Sequence, residues 1–240
     1  MKRYVSSLSV FLIALGLGGA VLPSSAVVVG PYDLAADFST AANPNGAWSY
    51  GYSTTLGGSL VLHASTSPHP AYSTISNWHT DLGYGVPVIL RNSTAGTVTN
   101  DTGTIVLTPG QLASHPGTSG EFSIVRFTAP TAGLFNVVGA FQGADLFGAT
   151  TDVHILLNGS SMLAGNVTGF GGGSGPAFNT NLSLASGDRL DFVVGWGNGD
   201  FTWDSTAISA VITQVPEPGT AAMLALGGMA LALRSARGRR

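Results

Sequence analysis

Apolar and polar side chains alternate along several short segments in the middle of the chain. Residues 121–128 show the pattern best: Phe122, Ile124 and Arg126 fall on one face of an extended strand, and Val125 and Phe127 fall on the other. This pattern is typical of a strand that is buried on one side and partly covered on the other. Similar patterns predict further strands over residues 134–141, 153–157, 161–167, 178–184, 189–195 and 205–213, and weaker ones over residues 46–52, 59–64, 88–91 and 104–108.

Turn signals separate these segments. Asn158-Gly159 lies between two predicted strands, and such a pair is the strongest short-range hairpin signal because a type I′ turn needs positive φ at both central residues. Residues 130–133 and 186–188 are also predicted turns. Residues 65–83 and the glycine-rich residues 168–175 are predicted to be long, mobile loops.

Residues 27–213 show no sustained helical period of 3.6 residues. Thr, Val, Phe and Gly are abundant there, whereas Lys and Glu are nearly absent and Glu121 is the only glutamate. Strand-forming residues therefore outnumber those that favour exposed helix surfaces. We predict an all-β fold for residues 27–213: a single domain built as an antiparallel, jelly-roll-like β-sandwich.

The amino-terminal end of the chain has a different character. Lys2 and Arg3 precede an apolar run over residues 10–22, and small residues then lead to Ala26. This order predicts a signal peptide over residues 1–26, with an N-terminal signal helix and cleavage after Ala26. The alternative is an uncleaved N-terminal membrane anchor. The protein is therefore predicted to be exported.

The carboxy-terminal end contains an apolar segment over residues 221–233, followed by four arginines within residues 234–240. Its 13 residues would form a short hydrophobic helix of about 20 Å, against a bilayer hydrocarbon core of about 30 Å. The arginines indicate the cytoplasmic side of a membrane. The segment is thus a predicted transmembrane helix that is short for a permanent anchor.

The tail as a whole, residues 214–240, resembles the PEP-CTERM sorting signal in the order and spacing of its three parts. Its motif, within residues 215–220, contains Val215, Pro216, Glu217, Pro218 and Gly219. The resemblance implies that an exosortase, a membrane protease-transpeptidase, recognises the motif, removes the tail and delivers the protein to the cell surface. The alternative is an ordinary transmembrane anchor, and both place the body outside the membrane.

The body also resembles domains that often accompany this tail in surface proteins of environmental bacteria. Five stretches carry the likeness: residues 43–52, 115–117, 125–130 with Gly133, 151–154 and 204–206. The resemblance implies a sandwich similar to carbohydrate-binding modules, and it supports the fold more than any ligand.

The charge of the body excludes one class of partner. Residues 27–213 contain three arginines against 11 acids, a formal charge of −8. The three arginines, Arg91, Arg126 and Arg189, are scattered, so the sequence offers no basic patch for nucleic acid. The chain contains no cysteine, and the exported body therefore folds without disulfides.

Two groups of aromatic residues are candidate glycan contacts. Trp48, Tyr50 and Tyr52 alternate along one predicted strand and therefore share a face, where a row of flat rings could stack on sugar rings. The second group lies around the loop of residues 197–199 and consists of Trp196, Phe201 and Trp203. The alternative is that these rings belong to the core, the commoner position of aromatic residues in a sandwich.

A group of oxygen-bearing side chains is a candidate calcium site. Asp188 precedes a predicted strand, and Asn198, Asp200 and Asp204 follow it. Carboxylate and amide oxygens from loops are the ligands that calcium prefers. The alternative, which the turn chemistry favours, is that these side chains cap turns through hydrogen bonds to the backbone. We predict no other cofactor.

The sequence offers little sign of catalysis. It contains no G-x-S-x-G elbow, no cysteine nucleophile and no H-E-x-x-H, and nothing in the spacing of the aspartates singles out a catalytic pair. The leading hypothesis is a non-catalytic cell-surface or extracellular-matrix protein that associates with extracellular polysaccharide. The alternatives are a purely structural surface protein without a specific ligand and, third, an enzyme acting on extracellular polysaccharide.

Overall fold

Short β-strands dominate residues 30–216, which together with Gly228 are the part of the chain that the computed structural model describes. One 3-10 turn, Pro70–Tyr72, interrupts them. The strands are β1 (Tyr32–Asp33), β2 (Trp48–Ser53), β3 (Val61–Leu62), β4 (Ser65–Thr66), β5 (Ser76–His79), β6 (Val88–Arg91), β7 (Val98–Thr99), β8 (Val106–Leu107), β9 (Leu112–His115), β10 (Phe122–Thr128), β11 (Gly133–Gly143), β12 (Asp152–Leu157), β13 (Ser160–Asn166), β14 (Ala177–Leu184), β15 (Arg189–Val194) and β16 (Thr206–Val215).

These strands form two main sheets. The larger has eight strands in the order β14-β11-β16-β9-β6-β5-β4, with β1 paired to β16, and the smaller has six in the order β13-β12-β15-β10-β2-β3. Strands β7 and β8 pair separately. Every strand pairing is antiparallel. The predicted all-β antiparallel architecture is therefore confirmed.

Strand β10 shows how the sequence pattern sorts side chains between the two faces of a sheet. Val125 and Phe127 point into the main core, whereas Ile124 belongs to a small cluster on the outer face. Beside it, Arg126 donates to Asp191 on β15 through two hydrogen bonds of 2.6 and 2.8 Å. The outer face is therefore partly covered, as the imperfect alternation predicts.

The main core lies between the two sheets and receives rings from both. Trp48 and Phe127 lie 5.4 Å apart between ring centroids, and Phe127 and Phe135 lie 6.3 Å apart across the sheets. A second cluster covers the outer face of β6 and β9, where Val88, Leu90 and Ala113 pack under residues 71–75 and 105–107. The larger sheet is thus buried on both faces at this position.

The strand register gives the sandwich two distinct ends. At one end β10, β12, β14 and β16 finish, and Leu157, Leu190 and Val215 pair with their neighbours there. The connections at this end are short: residues 129–132, 158–159 and 185–188. We call it the turn end. At the opposite end, the longer residues 144–151 and 195–205 connect the strands.

The predicted Asn158-Gly159 turn has the backbone that its sequence requires. Asn158 has φ 51° and Gly159 has φ 86°, which is the pair of positive values expected of a type I′ turn. The Asn158 side chain accepts from the Arg189 N–H at 3.0 Å and donates to Asp188 Oδ1 at 2.9 Å. These bonds join two neighbouring turns of the turn end.

Some boundaries differ from the prediction. Residues 65–83, predicted as one mobile loop, contain β4, the 3-10 turn and β5, and residues 112–115 form the unpredicted β9. Residues 168–175 are held by isolated bridges, from Gly169 to Ala149 and from Gly171 to Gly143. Strand β5 was missed because its burial comes from tertiary packing: Trp78 lies in the main core and its Nε1 donates to the Ser39 carbonyl.

Candidate functional site

A cleft of about 870 Å³ opens beside the second core cluster, at the end of the sandwich opposite the turn end. We call this the cleft end. The cleft receives residues from six segments of the chain, and its polar and aromatic lining consists of His69, Tyr72, Asp81, Tyr84, Asn100, Thr102, Thr104, His115, Asp145, Phe201, Thr202 and Trp203. Pockets of this size are the usual places for small ligands.

The turn around Tyr84 is built by one carboxylate and two glycines. Asp81 Oδ1 accepts the N–H groups of Gly83 and Gly85 at 3.0 and 2.9 Å. A Cβ atom at Gly85 would lie 2.5 Å from the His69 ring, and only glycine fits at that position. The turn leaves Tyr84 at φ 57° with its side chain 81% exposed at the mouth of the cleft.

The segment that carries Trp203 is held by a second set of turn bonds. Asn198 Oδ1 accepts the Asp200 N–H at 2.8 Å, and Asp200 Oδ1 accepts the N–H and hydroxyl of Thr202 at 2.9 and 2.7 Å. Trp203 follows at φ 69°. A bulky residue in this region of φ is strained, and such strain persists where the surroundings over-determine it, often at ligand sites.

Three exposed rings and the partly buried Phe201 therefore border the cleft in two pairs. Phe147 and Trp203 have ring centroids 4.4 Å apart, and Tyr84 and Phe201 have centroids 5.7 Å apart. Phe147 is 68% exposed although it is a large apolar residue. Rings of this kind, packed on one another and open to solvent, provide flat apolar faces for a ligand.

Polar side chains line the same cleft. Asn100 makes several hydrogen bonds: its Oδ1 accepts the N–H groups of Thr104 and Ile105 at 2.9 Å each, and its Nδ2 donates to Thr102 Oγ1 at 2.7 Å. His69 Nδ1 accepts from the Ala71 N–H, and its Nε2 lies 3.5 Å from Asp81 Oδ2. The cleft thus combines fixed hydrogen-bonding groups with apolar rings.

The ionisable groups of the cleft differ in their environment. Burial raises the pKa of Asp145, although its carboxylate also accepts from the Phe147 N–H. The N–H groups of Gly85 and Gly83 lower the pKa of Asp81. Burial lowers the pKa of His115 to about 4, and this imidazole is therefore neutral at pH 7.

The first predicted aromatic row requires a correction. Trp48 and Tyr50 do share one face of β2, but that face points into the main core, where their exposed fractions are 1% and 0%. No glycan can reach them. Tyr52, which is partly buried, stacks on His63 with ring centroids 5.8 Å apart. The alternation correctly placed Trp48 and Tyr50 on one face, but that face packs in the core.

The two tryptophans of the second predicted aromatic group lie in different surroundings. Trp203 lines the cleft, 41% exposed. Trp196 is partly buried outside the lining of the cleft, and its Nε1 donates to the Gly117 carbonyl. The predicted loop therefore contributes Phe201 and Trp203 to the cleft lining, and Trp196 lies outside it.

The four predicted calcium ligands do not converge, and this prediction also requires a correction. Asp188 precedes β15 and Asn198 follows it, so the six-residue strand separates them by about 20 Å. Asp188 bonds Asn158 at the turn end, whereas Asp204 Oδ1 accepts from the N–H and hydroxyl of Thr150. Among the described residues, no group of three or more His, Asp or Glu side chains is arranged to hold a metal ion.

Several cleft residues were not found from the sequence. Tyr84, Phe147, Asn100 and Asp81 come from loops that only the tertiary fold brings together. The sequence did contain one local signal for Tyr84, which stands between two glycines. Glycine has no side chain, so the residues next to Tyr84 in the sequence cannot cover its ring.

The sorting tail is confirmed by comparison with known families. Residues 214–240 match the PEP-CTERM protein-sorting motif. Val215 is the last residue of β16, so the motif starts where the last strand ends. The predicted signal helix and Glu217, Pro218 and Gly219 lie outside the described residues, as does the predicted transmembrane segment apart from Gly228. Within the described part of the chain, no helix has the length and apolar character needed to cross a membrane.

Comparison with solved structures finds carbohydrate-binding modules. A CBM51 from Clostridium perfringens GH95, in complex with methyl-galactose, is 12% identical with a TM-score of 0.34, and the match covers 54% of this chain and 90% of that chain. A family 35 module from Clostridium thermocellum is 13% identical with a TM-score of 0.31, over 55% and 100% of the two chains. These TM-scores are too low to transfer a ligand. The comparison with curated proteins found no match.

Proposed function

We propose that this protein is a non-catalytic, exported surface protein that binds extracellular polysaccharide through the cleft. In this proposal the protein works as a rigid scaffold. The sandwich holds the loops of the cleft end in place, the rings stack on sugar rings, and the polar groups between them accept and donate hydrogen bonds to sugar hydroxyls.

One observation carries the proposal: four rings, Tyr84, Phe147, Phe201 and Trp203, meet in two pairs beside a cleft whose lining also includes polar side chains. Folding alone does not explain large rings that are left open to water. A sugar has apolar C–H faces and a rim of hydroxyl groups, and it matches a site that offers ring faces next to Asn100, Thr102 and Thr104. The bound polymer would pass along an open cleft.

The tail supports the proposed location. We infer that the sorting motif at residues 214–240 directs the exported chain to an exosortase, with the apolar segment held in the membrane until the tail is removed. The body then remains at the cell surface or in the extracellular matrix. Mass spectrometry of the surface-retained protein should find no peptide beyond Gly219, whereas a mature protein that still carries Arg240 would indicate a plain anchor.

Polysaccharide retention by variants tests the cleft. Trp203→Ala should weaken retention about 30-fold, the roughly 2 kcal/mol typical of a binding hot spot, and Trp203→Phe should lose less because it keeps a ring. Met162→Ala is the matched control, since Met162 is a similarly exposed apolar side chain on edge strand β13. Both alanine variants should keep the wild-type melting temperature.

Two other results would contradict the proposal, and each would favour a different function. If the wild-type protein retains no glycan at high concentration, the protein is a structural surface component without a specific ligand. If incubation releases sugar and Asp145→Asn stops the release, the cleft is the active site of a hydrolase, because a carboxyl group with a raised pKa can act as a general acid.

A further inference from the structure

The charges around the cleft are of one sign. Asp81 and Asp145 both line it, and none of its described lining residues is lysine or arginine. His115 is neutral at pH 7, since burial holds its pKa at about 4. His69 Nε2 lies 3.5 Å from the Asp81 carboxylate. A ligand that enters the cleft therefore meets carboxylates without a lysine or arginine of the protein beside them.

The three arginines of the body do not line the cleft. Arg126 is paired with Asp191 on the smaller sheet, and Arg189 begins β15 at the turn end. Arg91 donates to Ser93 Oγ at 2.9 Å. Lys2 is the single lysine of the sequence, and residues 27–213 contain none. The negative charge at the cleft is thus not offset by a neighbouring lysine or arginine within the described residues.

A third carboxylate lies behind the lining. Asp204 is fully buried, its Oδ2 has no hydrogen-bond partner, and its charge interacts with those of Asp145 and Asp200. Burial raises the pKa of Asp204 to about 6, so most of the group is still ionised at pH 7. Partly buried charges are screened less by salt than exposed ones, and their field reaches a ligand in the cleft.

We propose that the cleft selects glycans that carry protonated amino groups, which are amino sugars with a free amine, and rejects glycans built from uronic acids. This inference rests on the glycan binding proposed above and names its ligand class. An ammonium group beside Asp81 or Asp145 would gain a charge-assisted hydrogen bond. A uronate in the same place would bring a like charge against the exposed Asp81 or the buried Asp145, which is costly.

Three soluble oligosaccharides of equal length test the inference with the full-length protein in detergent. They are an N-acetylglucosamine oligomer, the same oligomer without its acetyl groups, and an oligogalacturonate. At a pH at which the free amines are protonated, the de-acetylated oligomer should bind about tenfold or more tightly than the acetylated one, a difference of about 1.4 kcal/mol. The oligogalacturonate should not bind measurably.

Variants that each remove one negative charge test whether the preference for the de-acetylated oligomer arises in the cleft. Asp81→Asn and Asp145→Asn should each reduce the ratio of the two affinities towards one, and this ratio is the readout because both residues line the cleft and each change also affects the binding of the acetylated oligomer. Asp188→Asn removes the same unit of charge at the turn end and is the matched control, which should keep the preference.

The outcomes separate this inference from the proposed function. Equal affinity for the acetylated and de-acetylated oligomers would overturn the charge selection and leave glycan binding intact. Failure to bind any of the three, together with no retention of polysaccharide, would overturn both. A preference that Asp188→Asn removes as strongly as Asp81→Asn would show a general charge effect and would also overturn selection by the cleft.

Discussion

The two ends of this sandwich are made from similar residues and are built in opposite ways. Both are rich in Gly, Asn, Asp and Ser. At the turn end these residues form short turns whose side chains bond one another. At the cleft end they support exposed rings and leave buried polar atoms without partners. The difference separates the residues that hold the fold together from those available to a ligand.

The turn end is closed by reciprocal hydrogen bonds. Asp188 Oδ2 accepts the Ala185 N–H at 2.8 Å, and Ser186 Oγ donates to the Pro130 carbonyl at 3.1 Å. Asn158 joins these turns through Arg189 and Asp188. Within the described residues of this end, no buried side-chain polar atom lacks a partner. Such an end contributes to stability and offers little to bind.

The cleft end keeps several polar groups unpaired. Asp204 Oδ2, Ser205 Oγ and Ser114 Oγ are buried without hydrogen-bond partners, and they cluster where β16 begins beside β9. Each such group costs free energy in the folded state. Together with the positive φ of Tyr84 and Trp203, they indicate that stability is lower at this end, as is common at binding sites.

The largest effect should come from a matched pair of asparagines. Asn158→Val removes two side-chain hydrogen bonds and places a β-branched residue at φ 51°, which should cost about 2 kcal/mol and lower the melting temperature by roughly 4–8 °C. Asn198→Val, at the cleft end, loses one bond to the Asp200 N–H and should cost clearly less. Thermal unfolding followed by circular dichroism measures both. Equal losses would contradict the contrast between the ends.

Two aspartates should give opposite pH dependences. Burial raises the pKa of Asp204 to about 6, so the folded state binds more protons than the unfolded chain, and Asp204 destabilises the fold increasingly as the pH rises through about 6. Relative to the wild type, Asp204→Asn should therefore gain stability over the same rise. Denaturant unfolding at a series of pH values measures this difference.

Asp188 is the control with the reverse sign. The Asn158 amide and the Ala185 N–H lower the pKa of Asp188, so its contribution is present above the unfolded pKa and is lost as the pH falls. Asp188→Asn should therefore be less stable than the wild type near neutral pH, by a small amount because the group is exposed, and the deficit should shrink in acid. Parallel pH profiles for the two variants would refute the assignment.

The same contrast explains what the sequence could predict. The turn end could be predicted because its signals are local: Asn158-Gly159 requires positive φ, and residues 186–188 form a tight turn in any context. The strand over Phe122–Thr128 was predicted from its alternation, whereas its pairing with β2 and β15 was not predicted. The sorting tail was also local, since order and spacing within 27 residues identify it.

The cleft could not be predicted in this way because no single segment contains it. Tyr84, Asn100 and Trp203 are far apart in the sequence and meet only through the fold. Trp48 and Tyr50 show the reverse problem: alternate aromatics look the same whether their face is exposed or buried, and the second sheet decides. Asp188 was grouped with Asn198 by nearness along the chain, and a straight strand separates them.

The smallest effect should come from a matched pair of serines, with opposite signs at the two ends. Ser205→Ala removes a buried hydroxyl whose Oγ has no partner, and it should be neutral or stabilise the protein by about 0.5 kcal/mol. Ser186→Ala removes an Oγ that donates to the Pro130 carbonyl and should cost about 0.5 kcal/mol. Midpoints of denaturant unfolding at equal slope resolve differences of this size. If Ser205→Ala destabilises the protein by more than Ser186→Ala, the Ser205 hydroxyl is satisfied in solution, and the cleft end is better bonded than the contrast between the ends requires.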